Sequence, residues 1–421
     1  MMNALKREFR FLLRQRAVIG ILLGAFALSS IAVWAGVSEV SKQNAEITAL
    51  LEADAAERVA AIEGQSNYGG AAYYTFHLTY DRPSSLAFAA LGVRDIFPWK
   101  HRIRMLALEG QIYETDGGNP ALSNSGRFDY VFVAALIAPL LVILLLHDLC
   151  ASERAAGRYD LLVATEGGNE AVWVTRTCVR ALALTVAVTT PFLLGALVTQ
   201  APASAIAAVF GVTALHIAFW ALLAYLVTSF KFSAPTTATL LAGFWVATSF
   251  VAPSLSDSAI EQAVPSPEGG DIVLQQREAV NDAWDVPKDV TMRAFLEQYP
   301  QWTEKAAIEK PFEWKWYYAF QQVGDMSVAE MAKAYRTAIE KRYALAGVAA
   351  LASPPALVTR ALTRLADTDV TAALNYEKRV RAFHEDLRMF HYPLLFEDPP
   401  YSAGILENLP AYSEGPSKAQ S

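Results

Sequence analysis

The residues best placed to do work in this 421-residue sequence form one short block, Cys150-Ala-Ser-Glu153-Arg154-Ala-Ala-Gly157-Arg158-Tyr-Asp-Leu161-Leu162. Closely spaced charges with an apolar edge, followed by a Gly167-Gly168 break, suit a helix that docks into a groove on a partner protein, and they suit a solvated loop equally well. Histidine offers less. His384 and His391 lie seven residues apart near Pro393 and would need ligands from another element to hold a metal, so they read as surface or interface histidines. His216 sits deep in an apolar run and is the one deeply placed group that titrates near neutral pH. That makes it a candidate intramembrane polar site, with a neutral imidazole bonded to a neighbouring helix as the alternative. The densest aromatic cluster, Trp314, Trp316, Tyr317 and Tyr318, suits either a packed core or a partner surface outside the membrane.

No catalytic constellation accompanies these residues. The G-x-x-x-x-G-K-[ST] phosphate loop is absent, since no Gly-Lys pair occurs, and there is no H-E-x-x-H, C-x-x-C or G-x-S-x-G. The chain is therefore expected to be no enzyme and to carry no cofactor or metal of its own. A net charge of -7 without a dense basic face outside the N-terminus argues against nucleic acid. Cys150 and Cys178 flank apolar runs, so packing rather than a disulfide framework is expected of them.

The elements that must hold these residues are set by hydropathy. The chain is 53% apolar and only 18% charged, and Ala181 to Phe230 contains no Asp, Glu, Lys or Arg. A run of that length crosses a roughly 30 Å hydrocarbon core twice. A mainly α, polytopic membrane protein follows, with five spans at 17–37, 130–147, 181–199, 205–230 and 234–252. The first apolar run is too long for a secretory signal and reads as a retained anchor. A sixth crossing at 343–362 is left open, although Pro354-Pro355 and Arg360 favour an amphipathic helix and turn on the membrane surface.

Lys and Arg give the orientation. Residues 1–16 form an amphipathic basic helix, with Leu5, Phe9, Leu12 and Leu13 on one stripe, suited to a cytoplasmic membrane surface. Segment 148–180 carries Arg154, Arg158, Arg176 and Arg180, whereas the turn at 200–204 has no basic residue. The positive-inside rule then places the N-terminus in the cytoplasm and the C-terminus outside. Residues 38–129 and 253–421 become two extracytoplasmic segments. The first is expected to continue span one as a helix from Glu39 to Glu63, break at Gly69-Gly70, and hold minor strand content from Tyr73 to His77. The second is expected to open with a loop after Pro253 and then to be mostly helical.

On these motifs the chain resembles the permeases of type-2 ABC exporters. The stretch Glu153-Arg154-x-x-Gly157-x-x-x-Leu161-Leu162 is similar to their coupling-helix region, with Arg158 and Tyr159 where Thr and Leu are usual, and the basic leader is similar to their connecting helix. Ser353-Pro354 followed by Leu365-Ala366-Asp367-Thr368-Asp369 resembles a bacterial subfamily linked to multicopper-enzyme maturation, in which Gly is usual at the position of Asp367. The resemblance implies two permease chains, identical or related, in a bacterial inner membrane, with ATP and Mg²⁺ held on separate ATPase subunits that grip the Glu153 segment. A periplasmic client or substrate would meet the outer segments. The competing reading is a membrane-anchored scaffold that binds such a client and transports nothing.

Overall fold

The structure, a computed structural model, describes residues 2–114, 128–165 and 171–414. Five helices are long and apolar enough to cross a bilayer: Arg16–Glu63, Tyr130–Ala155, Ala171–Val198, Ala203–Ser229 and Ala234–Ala263. The protein is a mainly helical, multi-pass membrane protein. Its spans pack through small residues, as helices in lipid do: Ala25, Ser29, Ala32 and Gly36 are buried on span one. Ser29 Oγ donates to the Val188 carbonyl of span three at 2.7 Å.

Three helices overrun the lengths read from hydropathy. Span one continues through the Glu39 to Glu63 stretch as one 48-residue helix, roughly 70 Å long against a core of about 30 Å. Its far half is a stalk on which the polar domain folds, and Gln43, Ile47 and Asp54 are buried there. Span three starts at Ala171, because Arg176 and Arg180 find partners within the protein. Span five runs through Pro253 to Ala263 instead of ending in a loop. The wide π turn Ala247–Val251 precedes that proline, so the helix is already open where a proline would clash with the previous turn.

The two long segments form one polar domain. Strand β1 (His77–Tyr80) pairs antiparallel with β2 (Lys100–Ile103), the only sheet among the described residues. The expected strand at Tyr73 is displaced: Tyr73 and Tyr74 close a short helix, Tyr68–Tyr74. Nor do Gly69-Gly70 break the chain. The stalk ends at Gly64, and Gly69 lies inside that helix, where any Cβ would strike the Trp314 ring. Helices Gly269–Asp282, Lys288–Gln298, Trp314–Ala349 and Val370–Phe396 from the second segment complete the domain.

Asp325 ties the two segments together. Buried on the long Trp314–Ala349 helix, its carboxylate accepts from the Leu108 N–H at 2.7 Å, the Glu109 N–H at 3.1 Å and Gln276 Nε2 at 2.5 Å, and it pairs with Arg388. It thus caps the first turn of helix Leu108–Tyr113 from 217 residues away.

Residues 343–362 do not form a span. The long helix ends at Ala349, a 3-10 turn covers Ala350–Ala352, and a twelve-residue helix, Pro354–Leu365, follows. Ser353 starts it, accepting from the Ala356 N–H at 3.2 Å, and the prolines take the first positions, where a missing N–H costs nothing. This helix is more deeply set than a surface one: Val358 and Leu362 join the buried cluster formed by the spans.

Candidate functional site

On the N-terminal side of the spans, the block singled out by its charges folds into two short helices, Ala151–Ala155 and Tyr159–Thr165. Gly157 makes the turn between them with a left-handed φ of +66° in open space, a conformation that costs a side chain roughly 1 kcal/mol. The Gly167-Gly168 break falls outside the described residues.

Glu153 points inward and is buried. Its Oε2 accepts from Arg158 Nε at 2.8 Å, and its Oε1 lies 3.5 Å from an Arg176 nitrogen. Arg176 in turn donates Nε to Glu8 of the leader helix Met2–Leu12 at 2.8 Å, with its guanidinium over Phe11 and Trp173. Arg154 reaches the other way, donating to the Phe230 carbonyl at the end of span four at 3.1 Å and stacking on Tyr159. Tyr159 lies flat on Trp173 of span three, 5.1 Å between centroids. The block is therefore fixed at once to span two, span three, span four and the leader.

What it presents outward is a different subset. Leu161 is 65% exposed, and Arg158, Asp160 and Gly157 are exposed beside it, while Leu162 is half-buried against the spans. Of the residues named from sequence, Glu153 and Arg154 position the block, and Arg158 and Leu161 form its free face.

On the opposite side, two inserts close the bundle. Leu86 to Leu91 are all buried among the spans. A Cβ on Gly36 would meet the Phe88 carbonyl oxygen, and one on Gly195 would meet the Phe88 ring, so both glycines make room for the insert. The Ala89 carbonyl accepts from the Val131 N–H at 2.9 Å, and Asp129 accepts from the Leu91 N–H at 2.9 Å, which pins the insert to the start of span two. Hydropathy reading passed over this six-residue apolar run because it is far too short to span.

The second insert is helix Pro354–Leu365, and it meets spans two and five where each makes a π turn, Val133–Ile137 and Ala247–Val251. A π turn leaves carbonyls without their usual partners. His216 Nε2 lies 3.2 Å from the Ala135 carbonyl oxygen, Trp245 Nε1 donates to Leu136 at 3.1 Å, and Ser353 Oγ donates to Thr248 at 2.6 Å. His216 is thus buried and satisfies a carbonyl of a distorted helix.

The Leu365–Asp369 motif is a joint. Asp367 adopts a left-handed φ of +53°, which explains why glycine suits that position. Thr368 Oγ1 donates to the Ala90 carbonyl at 2.8 Å, and the Thr368 carbonyl accepts from Val93. Asp369 caps the Val370–Phe396 helix through the Ala372 N–H at 3.0 Å.

The aromatic cluster is largely packed into the polar domain. Trp316 and Tyr318 are buried, Trp314 and Tyr317 half-buried, and Tyr318 donates to the Gly69 carbonyl at 2.9 Å, joining the two segments. His384 and His391 are likewise buried, not superficial, and no metal-holding group of His, Cys, Asp or Glu occurs among the described residues. Both thiols are free, Cys150 buried and Cys178 exposed.

Residues 272–414, the last third of the chain, match a family described as a domain of unknown function (DUF3526). No curated protein and no solved structure matches the chain. The matched stretch holds Asp325, Ser353, Arg388 and the Leu365–Asp369 joint, and so most of the polar domain's framework.

Proposed function

We propose that this protein is the membrane subunit of an ATP-driven exporter, with its N-terminal side in the cytoplasm and its polar domain outside. The reading is carried by the block around Glu153. A short helical pair held rigidly to three spans and the leader, yet exposing Leu161 and Arg158, has the properties needed to receive force from a partner and pass it to the bundle. A solvated loop would not need a buried ion cluster beneath it. The partner would be an ATPase that binds ATP and Mg²⁺, since this chain has no phosphate loop.

Substrate movement would take place between two copies of the chain or between it and a related chain, because the two inserts close the bundle of a single copy. Copurification from membranes tests the reading. The wild-type protein is expected to bring down a P-loop ATPase, and Leu161→Asp, exposed and remote from the core, to lose it with unchanged yield and melting. A stable complex containing no ATPase would overturn it. The size of the polar domain favours a second reading, an anchored scaffold for a client outside the membrane. Reconstituted vesicles that bind the client and move no solute would establish that instead.

A further inference from the structure

Helix Pro354–Leu365, the end of the long helix and the π turn of span five enclose an open groove of ≈ 490 Å³. Pro253, Ala346, Ala350 and Ala356 also line a second, adjoining hollow of ≈ 410 Å³. Apart from Arg360 and Asp369 the first groove is lined mainly by small and apolar residues, whereas the second hollow adds Ser254, Ser256 and Asp257. The groove lies beside the π turns of spans two and five, and the neighbouring face of span five is exposed at Phe250, Val251 and Leu255. That exposed apolar face is the surface along which an acyl chain would reach the groove.

Two polar groups in this lining lack the partners they would ordinarily have. Arg360 pairs with no carboxylate among the described residues. Its guanidinium lies 3.7 Å from the Tyr343 ring centroid and donates once, to the Tyr343 carbonyl, at 3.0 Å. Gly347 makes room for it, since a Cβ there would meet the guanidinium at 2.8 Å. Of the two acids along the groove, Asp257 lines the second hollow, and Asp369, beside Arg360, is already engaged by the Tyr343 hydroxyl at 2.6 Å, the Ala372 N–H at 3.0 Å and Arg364 at 3.6 Å. Ser249 supplies the second group, a buried hydroxyl with no hydrogen-bond partner among the described residues. A guanidinium has five N–H donors in a fork that matches phosphate or carboxylate, so most of the donors of Arg360 remain available.

From this we infer that the groove is a binding site for an anionic-headed amphiphile drawn from the adjoining leaflet. The acyl chain would lie along Pro253, Ala346, Ala350 and Ala356, and the phosphate or carboxylate head would meet Arg360. The volume falls in the range of small-molecule sites, and basic pockets between membrane helices hold acidic head groups by the same attraction. The inference rests on the membrane-spanning fold and the groove, and stands apart from ATP-driven transport.

Native mass spectrometry of the full chain in neutral detergent tests it, with phosphatidylglycerol and phosphatidylcholine of matched acyl chains as probes. Phosphatidylglycerol is expected to be retained about fivefold better than phosphatidylcholine, the factor one favourable cation supplies. Arg360→Gln should abolish that preference and Arg360→Lys restore part of it. Ala356→Phe, which fills the groove and leaves Arg360 in place, should lower retention of both lipids. Each variant is accepted only if it elutes as one species and melts with the wild type in phosphatidylcholine. Equal retention of the two lipids by the wild type, or retention unchanged in Arg360→Gln and Ala356→Phe, would overturn the proposal. Displacement of phosphatidylglycerol by millimolar inorganic phosphate would also overturn it, by showing a site for a free anion.

Discussion

Glu8 and Arg176 form a buried ion pair, with Oε2 and Nε 2.8 Å apart, that joins the leader helix to the third span 168 residues later. Both side chains are more than nine-tenths buried, and Arg176 also faces Glu153. One guanidinium thus ties the leader and the Glu153 block to span three. A force on the block therefore acts on the spans and the leader together.

Removing that guanidinium takes the shared partner from two buried carboxylates, leaving, among the described residues, Glu8 only Arg7 at 3.5 Å and Glu153 only Arg158 at 2.8 Å. Arg176→Met is expected to destabilise the purified protein by about 3 kcal/mol or more, the usual cost of breaking a buried pair from one side. Glu8→Gln with Arg176→Met should lose clearly less than the sum of the single changes. Thermal unfolding in detergent across the four-member cycle measures this, and strict additivity would deny the pair its joining role.

Asp325 should govern the polar domain in the same way. Asp325→Ala strands Arg388 and the Leu108 and Glu109 N–H groups in the interior, a loss of about 3 kcal/mol or more. Asp325→Asn keeps the shape and some of the hydrogen bonding, and should be milder. Limited trypsin digestion is the readout: in Asp325→Ala cleavage near Arg102 and Arg104 should accelerate while the spans stay protected. Equal digestion of wild type and variant would contradict the assignment.

The polar domain should be sensitive to acid. Burial pushes His77 and His391 down to about 3 and His101 down to about 4, from an ordinary value of about 6.5. A depressed histidine binds protons more weakly in the fold than in the unfolded chain. Stability is therefore full above about pH 6.5 and is lost as pH falls toward the folded values, by up to about 1.4 kcal/mol per pH unit for each group. Burial also pushes the carboxyls of Asp325 and Glu377 up, which acts in the opposite sense nearer the carboxylate range. His391 has no hydrogen-bond partner on either ring nitrogen among the described residues. His391→Leu should thus flatten the fall in melting temperature between pH 7 and pH 5 without loss at pH 7.5. An unchanged slope would show that His391 does not contribute.

His216 should matter for packing and not for proton movement. His216→Leu removes the donor to the Ala135 carbonyl and should cost about 1 kcal/mol, as hydrogen bonds between membrane helices do. The pH profile of any ATP-driven activity in vesicles should keep its shape. A profile that flattened on substitution would point to proton transfer through this residue.

How much of this was legible in the sequence follows from the range of the interactions. Five spans, the continuation of span one and a mostly helical second segment were all readable, because apolar length and helical period are local properties. The charged block around Glu153 could also be located, since its charges are contiguous. Which of its residues face outward could not, because Glu153 turns inward to meet Arg176, which also binds Glu8 on a separate helix. The burial of Leu86 to Leu91 was hidden for a related reason. It requires Gly36 and Gly195 on two different helices to leave space for Phe88, and no window of sequence contains all three. His391 looked superficial for lack of a local partner, and only the tertiary packing of its helix decided that it is buried. Hydropathy alone determined that this chain lives in a membrane. The tertiary structure decided which side chains remain free to meet something else, because long-range packing consumes the others.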